Sequence, residues 1–117
     1  MIFKSDDLFI IAEIGMNHNG DFDLAVKSIE AAANAGATAV KFQTFNTRNF
    51  LSADSFDIEE RLKYELDSEK LNKLREISSL NGVEFFSTPL DLQSVAELDH
   101  IGVNLFKIAS ADINNIP

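Results

Sequence analysis

The chain has 117 residues, enough for one domain of common size, and 45% of them are hydrophobic, so a core can be buried and disorder is not the expectation. The formal net charge of −9 argues against nucleic acid as a partner, because neutralising phosphates needs a basic face. With no cysteine there is no disulfide framework and no thiolate site, which fits a reducing cytoplasm. No apolar run approaches the ~20 residues of a membrane span, and the stretch from Met1 to Asp7 lacks a signal-peptide layout.

The first predicted element is a strand from Leu8 to Ile14, apolar and β-branched apart from Glu13. Asn17-His18-Asn19-Gly20 then forms a polar loop, and Asp21 is placed to cap a helix whose apolar residues Phe22, Ala25, Val26, Ile29, Ala32 and Ala33 recur at helical spacing. Gly36 ends that helix, and Thr38 to Gln43 is a second strand. Residues 44–67 read as a long irregular connection with a short helix over 58–66; connections of this length are usually functional or mobile. A helix carrying Leu71, Leu74, Ile77 and Ser78 follows and stops at Asn81-Gly82. Val83 to Ser87 is a third strand, broken by Thr88-Pro89, and Asp91 caps a helix carrying Leu92, Val95 and Leu98. Gly102 ends it, and Asn104 to Ala109 is a fourth strand. The order βαβαβαβ predicts a parallel α/β sheet with right-handed crossovers.

Two lysines interrupt apolar runs, in Val40-Lys41-Phe42-Gln43 and in Phe106-Lys107-Ile108-Ala109-Ser110. An interior parallel strand is buried on both faces, so a lysine there is costly unless it meets an anion or reacts. Two of them at strand ends point to one electropositive pocket at the C-terminal rim, where β/α folds keep their active sites. Gln43 lies two residues beyond Lys41 and shares its face. Lys107 and Ser110 need a bend between them to converge, and Asp112 is placed to orient Lys107 or contact a hydroxyl. Glu13 is either a strand-end carboxylate, solvated or paired to a lysine, or a group of the site. Asn17 and His18 are either turn residues or donors to a substrate oxygen. His100 is read as solvent-facing, and the two histidines have no metal-ligand spacing. Arg48 and Arg61, in the long connection, are read as solvated.

Together, Ile11-Ala12-Glu13-Ile14-Gly15 with Asn17-His18-Asn19-Gly20, Ala35-Gly36-Ala37 with Val40-Lys41-Phe42-Gln43, Phe86-Ser87-Thr88-Pro89, and Phe106-Lys107-Ile108-Ala109-Ser110 resemble the sialic acid synthase family, in order and spacing, from about residue 8 to the last. That family includes N-acetylneuraminate, legionaminic and pseudaminic acid synthases and spore coat polysaccharide biosynthesis proteins. The resemblance implies a TIM (β/α)₈ barrel, of which residues 1–117 are the N-terminal half with roughly strands 1–4. It implies condensation of phosphoenolpyruvate with an N-acylated amino sugar and release of phosphate. Lys41, Lys107 and Ser110 would hold phosphoenolpyruvate and Gln43 the sugar. Glu13 would sit in the reaction centre, with Asp112 at a position where the family usually has glutamate. Leu90 stands where the family usually has phenylalanine. A divalent metal, Mn or Mg, is implied, with histidine ligands on later strands beyond Pro117, and so is a homo-oligomer. A barrel needs about 250 residues, so the chain alone is expected to be inactive and to self-associate through open sheet edges. Two rival readings are a Schiff-base aldolase with Lys107 or Lys41 as nucleophile, and a non-catalytic anion-binding half-barrel module.

Overall fold

The computed structural model describes residues 7–50 and 57–116. Three strands, β1 (Ile11–Gly15), β2 (Ala39–Thr44) and β3 (Glu84–Pro89), form one parallel sheet in the order β1-β2-β3. Helix α1 (Phe22–Asn34) connects β1 to β2. The connection from β2 to β3 holds α2 (Thr47–Phe50), α3 (Ile58–Leu62) and α4 (Ser68–Leu80). Helix α5 (Leu92–His100) follows β3, and a 3₁₀ turn covers Ser110–Asp112. Because the strands advance in one direction, right-handed crossovers put α1 and α4 on the same side of the sheet. The result is a parallel α/β unit of partial, barrel-like form.

Local chemistry explains the helix boundaries. The carboxylates of Asp21, Asp67 and Asp91 accept from the backbone N–H groups of Leu24, Lys70 and Ser94, so each long helix starts on an aspartate that satisfies an orphan donor. Ile29, Leu71, Leu74 and Leu98 from the three helices are fully buried and join Val40, Phe42 and Phe85 in one core. The rings of Phe42 and Phe85 stack with centroids 5.4 Å apart.

Pleating sorts the strand residues onto two faces. The register pairs Glu13 with Lys41, Lys41 with Phe86, and Gln43 with Thr88, so these five side chains share one face. Val40, Phe42, Phe85 and Ser87 take the other, which the helices cover.

Several boundaries differ from those expected: the second strand is Ala39–Thr44 rather than Thr38–Gln43, and the third, expected to break at Thr88-Pro89, runs Glu84–Pro89 because Thr88 and Pro89 pair with Gln43 and Thr44. The first strand begins at Ile11 rather than Leu8, which is 81% exposed. Its partner begins only at Ala39, and the Thr38 and Ala39 N–H groups both donate to the Ile10 carbonyl, so no ladder extends further back. The helix expected over 58–66 ends at Leu62, and a second short helix, α2, forms in a segment expected to be irregular. The fourth strand expected over 104–109 is a single bridge from Phe106 to Ser87, with the Lys107 N–H donating to the Ser87 carbonyl. Among the described residues this segment pairs with β3 alone, and the chain turns into the 3₁₀ turn at Ser110.

Candidate active site

Lys41 and Glu13 meet on the sheet face that the helices leave open. The Lys41 Nζ lies 2.7 Å from a Glu13 carboxylate oxygen, with the lysine side chain 8% exposed and the glutamate 63%. The lysine is therefore nearly buried, its ammonium paired to a largely solvated carboxylate. An ammonium carries three donors. Glu13 occupies one, and the others suit phosphate or carboxylate oxygens. Gln43 is half-buried on the same face. Its amide nitrogen lies 3.8 Å from the point where a Cβ on Gly15 would stand, so the bare glycine at the end of β1 borders it directly. Thr88, buried, is its neighbour on β3. Glu13, Lys41, Gln43 and Thr88 thus form a continuous polar row.

Lys107 stands apart from that ion pair. Alternation from the Phe106 bridge brings the Lys107 position level with Thr88 on the open face. Its ammonium, however, turns back to the Ile108 carbonyl at 2.9 Å, and the residue is exposed. With Asp112 it lines a groove of about 490 Å³ that also includes Leu92, Val95 and Phe106, and Lys41 is not among the lining residues. The structure therefore gives the two ammonium groups separate partners. Ser110 is exposed at the head of the 3₁₀ turn, which supplies the bend after Lys107.

The β1–α1 loop is more constrained than a simple turn. Asn17 is exposed and its N–H donates to the Ile14 carbonyl. His18 is fully buried, 6.1 Å from the Phe42 ring between centroids. Its Nδ1 accepts the Gly20 N–H at 3.0 Å, which leaves the proton of the neutral ring on Nε2. Among the described residues that buried nitrogen has no hydrogen-bond partner. Burial pushes the imidazole below its ordinary value of 6.5. Gly20 has φ +77°, and a Cβ there would lie 2.0 Å from the Lys63 carbonyl oxygen, so the loop is seated against the end of α3.

Several contacts that organise this rim were not read from the sequence. Asp91 caps α5 and also accepts the Asn46 N–H at 2.7 Å, tying the start of the long connection to β3. Thr44 and Ser87 share a buried hydroxyl–hydroxyl bond of 2.7 Å, and the Thr47 N–H donates to Glu65. Arg61, expected to be solvated, is half-buried with its Nη1 3.7 Å from the Met16 sulfur. These contacts join residues tens of positions apart, and no local pattern announces them. His100 is exposed, as expected. Among the described residues no three His, Asp or Glu side chains come together in a way that could hold a metal ion, so these side chains alone do not fit one. No described helix is long and apolar enough to cross a membrane.

Comparison with known proteins gives a consistent picture. Residues 28–117 match the NeuB family. An N,N'-diacetyllegionaminic acid synthase of Campylobacter jejuni is 40% identical, over 92% of this chain and 36% of that protein. The human N-acetylneuraminate-9-phosphate synthase is 34% identical, over 93% of this chain and 34% of that protein. Among solved structures, the N-acetylneuraminic acid (sialic acid) synthetase of Leptospira borgpetersenii serovar Hardjo-bovis, in complex with citrate, superposes with a TM-score of 0.89 at 38% identity, covering 94% of this chain and 39% of that one. The chain thus spans about a third of the length of the curated relatives it matches.

Proposed function

Because the chain belongs to the NeuB family, a family of acid synthases, we propose that it supplies the N-terminal half of the barrel of a cytoplasmic nonulosonic acid synthase. The reaction joins phosphoenolpyruvate to an N-acyl hexosamine. C3 of phosphoenolpyruvate forms a bond to the sugar aldehyde carbon, water adds to the former enol carbon, and phosphate leaves with cleavage of its C–O bond. The observation that carries this reading is the polar row Glu13–Lys41–Gln43, set on the open sheet face of an otherwise apolar strand pair.

The residues divide the work by charge. Lys41 binds a phosphate or carboxylate of phosphoenolpyruvate by charge-assisted hydrogen bonds. Lys107 leaves the Ile108 carbonyl and, with Ser110, takes the second acidic group. An anion arriving at Lys41 competes with Glu13 for it and releases that carboxylate where a proton must move. Asp112 is the second carboxylate, near Lys107. Gln43, Asn17 and His18 meet the hydroxyl and acyl groups of the sugar. A divalent metal, Mn or Mg, would supply Lewis-acid activation of the sugar aldehyde, held by ligands other than the described residues. The assembled enzyme is a homo-oligomer.

The rival chemistry is a Schiff base, which needs a lysine nitrogen free to attack a carbonyl. Lys41 Nζ is engaged by Glu13, which favours anion binding. Borohydride reduction in the presence of pyruvate separates the two. The synthase reading expects no mass adduct on Lys41 or Lys107, and a stable adduct on either would overturn it. With phosphoenolpyruvate, an N-acyl hexosamine and Mn²⁺, the 117-residue chain alone is expected to release no phosphate.

A further inference from the structure

Hydrogen peroxide finds few reactive side chains on this protein. The sequence has no cysteine and two methionines, Met1 and Met16. With no thiol to react first, a thioether is the sulfur an oxidant reaches. Met16 is half-buried in the β1–α1 loop and lines a small cleft against α3 and its flanks, shared with Asp57, Glu60, Arg61 and Tyr64. The cleft volume is about 210 Å³. That is less than the roughly 300–1,000 Å³ of most small-molecule sites, but ample for a peroxide, which is little larger than water.

The sulfur faces a charged donor. Arg61 Nη1 donates to the Met16 Sδ at 3.7 Å. A thioether is a weak acceptor. Oxidation to the sulfoxide makes the same side chain polar. A bent S–O···H–N arrangement spans a sulfur–nitrogen distance of this size with a hydrogen bond of ordinary length. The added oxygen therefore meets the guanidinium without a shift of Arg61, and the bond it makes is charge-assisted. Two contacts hold the wall in place. The bare Cα of Gly20 admits the Lys63 carbonyl, which seats the end of α3 on the loop. The Tyr64 hydroxyl donates to a Glu60 carboxylate oxygen at 3.1 Å. The carboxylates of Asp57 and Glu60 repel an anionic oxidant, whereas hydrogen peroxide is neutral.

We propose that Met16 is an oxidation site for hydrogen peroxide, and that Arg61 holds its sulfoxide as a reversible clamp between the β1–α1 loop and α3. The Met16 sulfur lone pair attacks one peroxide oxygen, so an S–O bond forms and the O–O bond breaks. Sulfur gives up two electrons. The proton of the attacked oxygen passes through solvent to the other oxygen, which leaves as water. A methionine sulfoxide reductase undoes the change. Sulfoxide formation ordinarily disrupts packing, but here the new dipole is met by a cation, so oxidation tightens the contact. The inference does not depend on the synthase reading.

The test treats the full chain with hydrogen peroxide, locates sulfoxides by peptide mass spectrometry and compares melting temperatures before and after. Met16 is expected to gain one oxygen. The melting temperature is expected to rise by at least about 2 °C, as one added hydrogen bond to a charged group implies, and a sulfoxide reductase to reverse the rise. Met16→Leu is expected to show no shift, which separates the effect from Met1. Arg61→Leu removes the donors, and there the same oxidation is expected to lower the melting temperature. Arg61→Gln, a milder change that removes the charge, is expected to at least halve the rise and serves if Arg61→Leu does not fold. No oxygen on Met16, a lower melting temperature in the oxidised parent, or a rise undiminished in either Arg61 variant or in Met16→Leu overturns the proposal.

Discussion

At the scale of single residues, the Lys41–Glu13 pair is asymmetric, and the asymmetry is testable. The lysine is nearly buried and the glutamate largely solvated. Glu13→Gln leaves a buried ammonium without its counter-charge and is expected to cost about 1–3 kcal/mol in denaturant unfolding. Lys41→Met removes the charge and keeps the stem, so it is expected to be near neutral or stabilising. The reverse order would show that the pair does not set the energetics of this face. His18 offers a pH signature. The unfolded chain takes up a proton near pH 6.5, whereas burial holds the folded imidazole lower. Stability from the neutral ring is therefore present above pH 6.5 and lost as the pH falls through the lower folded value. Protonation also removes the Nδ1 acceptor of the Gly20 N–H. The melting temperature is expected to fall as the pH drops below 6.5, and the fall to shrink in His18→Gln. An identical fall in both proteins would assign it to other groups.

At the scale of elements, the caps were legible because they are local. Asp21 and Asp91 read as helix starts from the residues that follow them, and both accept the expected N–H groups. What α5 needs beyond its cap was not legible. Asp91 also holds Asn46, and that partner lies 45 positions away. The same holds for Gly20. In the sequence it is a turn former, whereas in the structure its missing side chain admits the Lys63 carbonyl. Gly20→Ala is expected to cost more than about 2 kcal/mol, combining left-handed backbone strain with a backbone clash. Gly36→Ala, at φ +89° with nothing within 4 Å, carries the strain alone, about 1–2 kcal/mol. Equal losses in thermal or denaturant unfolding would show that the loop and α3 are not interlocked.

At the scale of the whole molecule, the alternation of apolar strands and amphipathic helices predicts the parallel sheet with right-handed crossovers, and the structure adds its order, β1-β2-β3. The strand ends are set by partners and so are less legible. β1 starts where β2 starts, and the segment after α5 pairs at one residue because one neighbour flanks it. The same limit applies to the site. Lys41 and Gln43 share a face because period-2 alternation guarantees it, while the position of the Lys107 ammonium depends on a segment without a full ladder. The account turns on whether the open face around Lys41 is an anion site for phosphoenolpyruvate. Calorimetric titration of phosphoenolpyruvate into the chain and into Lys41→Ala measures this directly. Saturable binding that weakens at least about tenfold in a folded Lys41→Ala protein is the predicted result. No binding, or equal affinity in the two proteins, would contradict it.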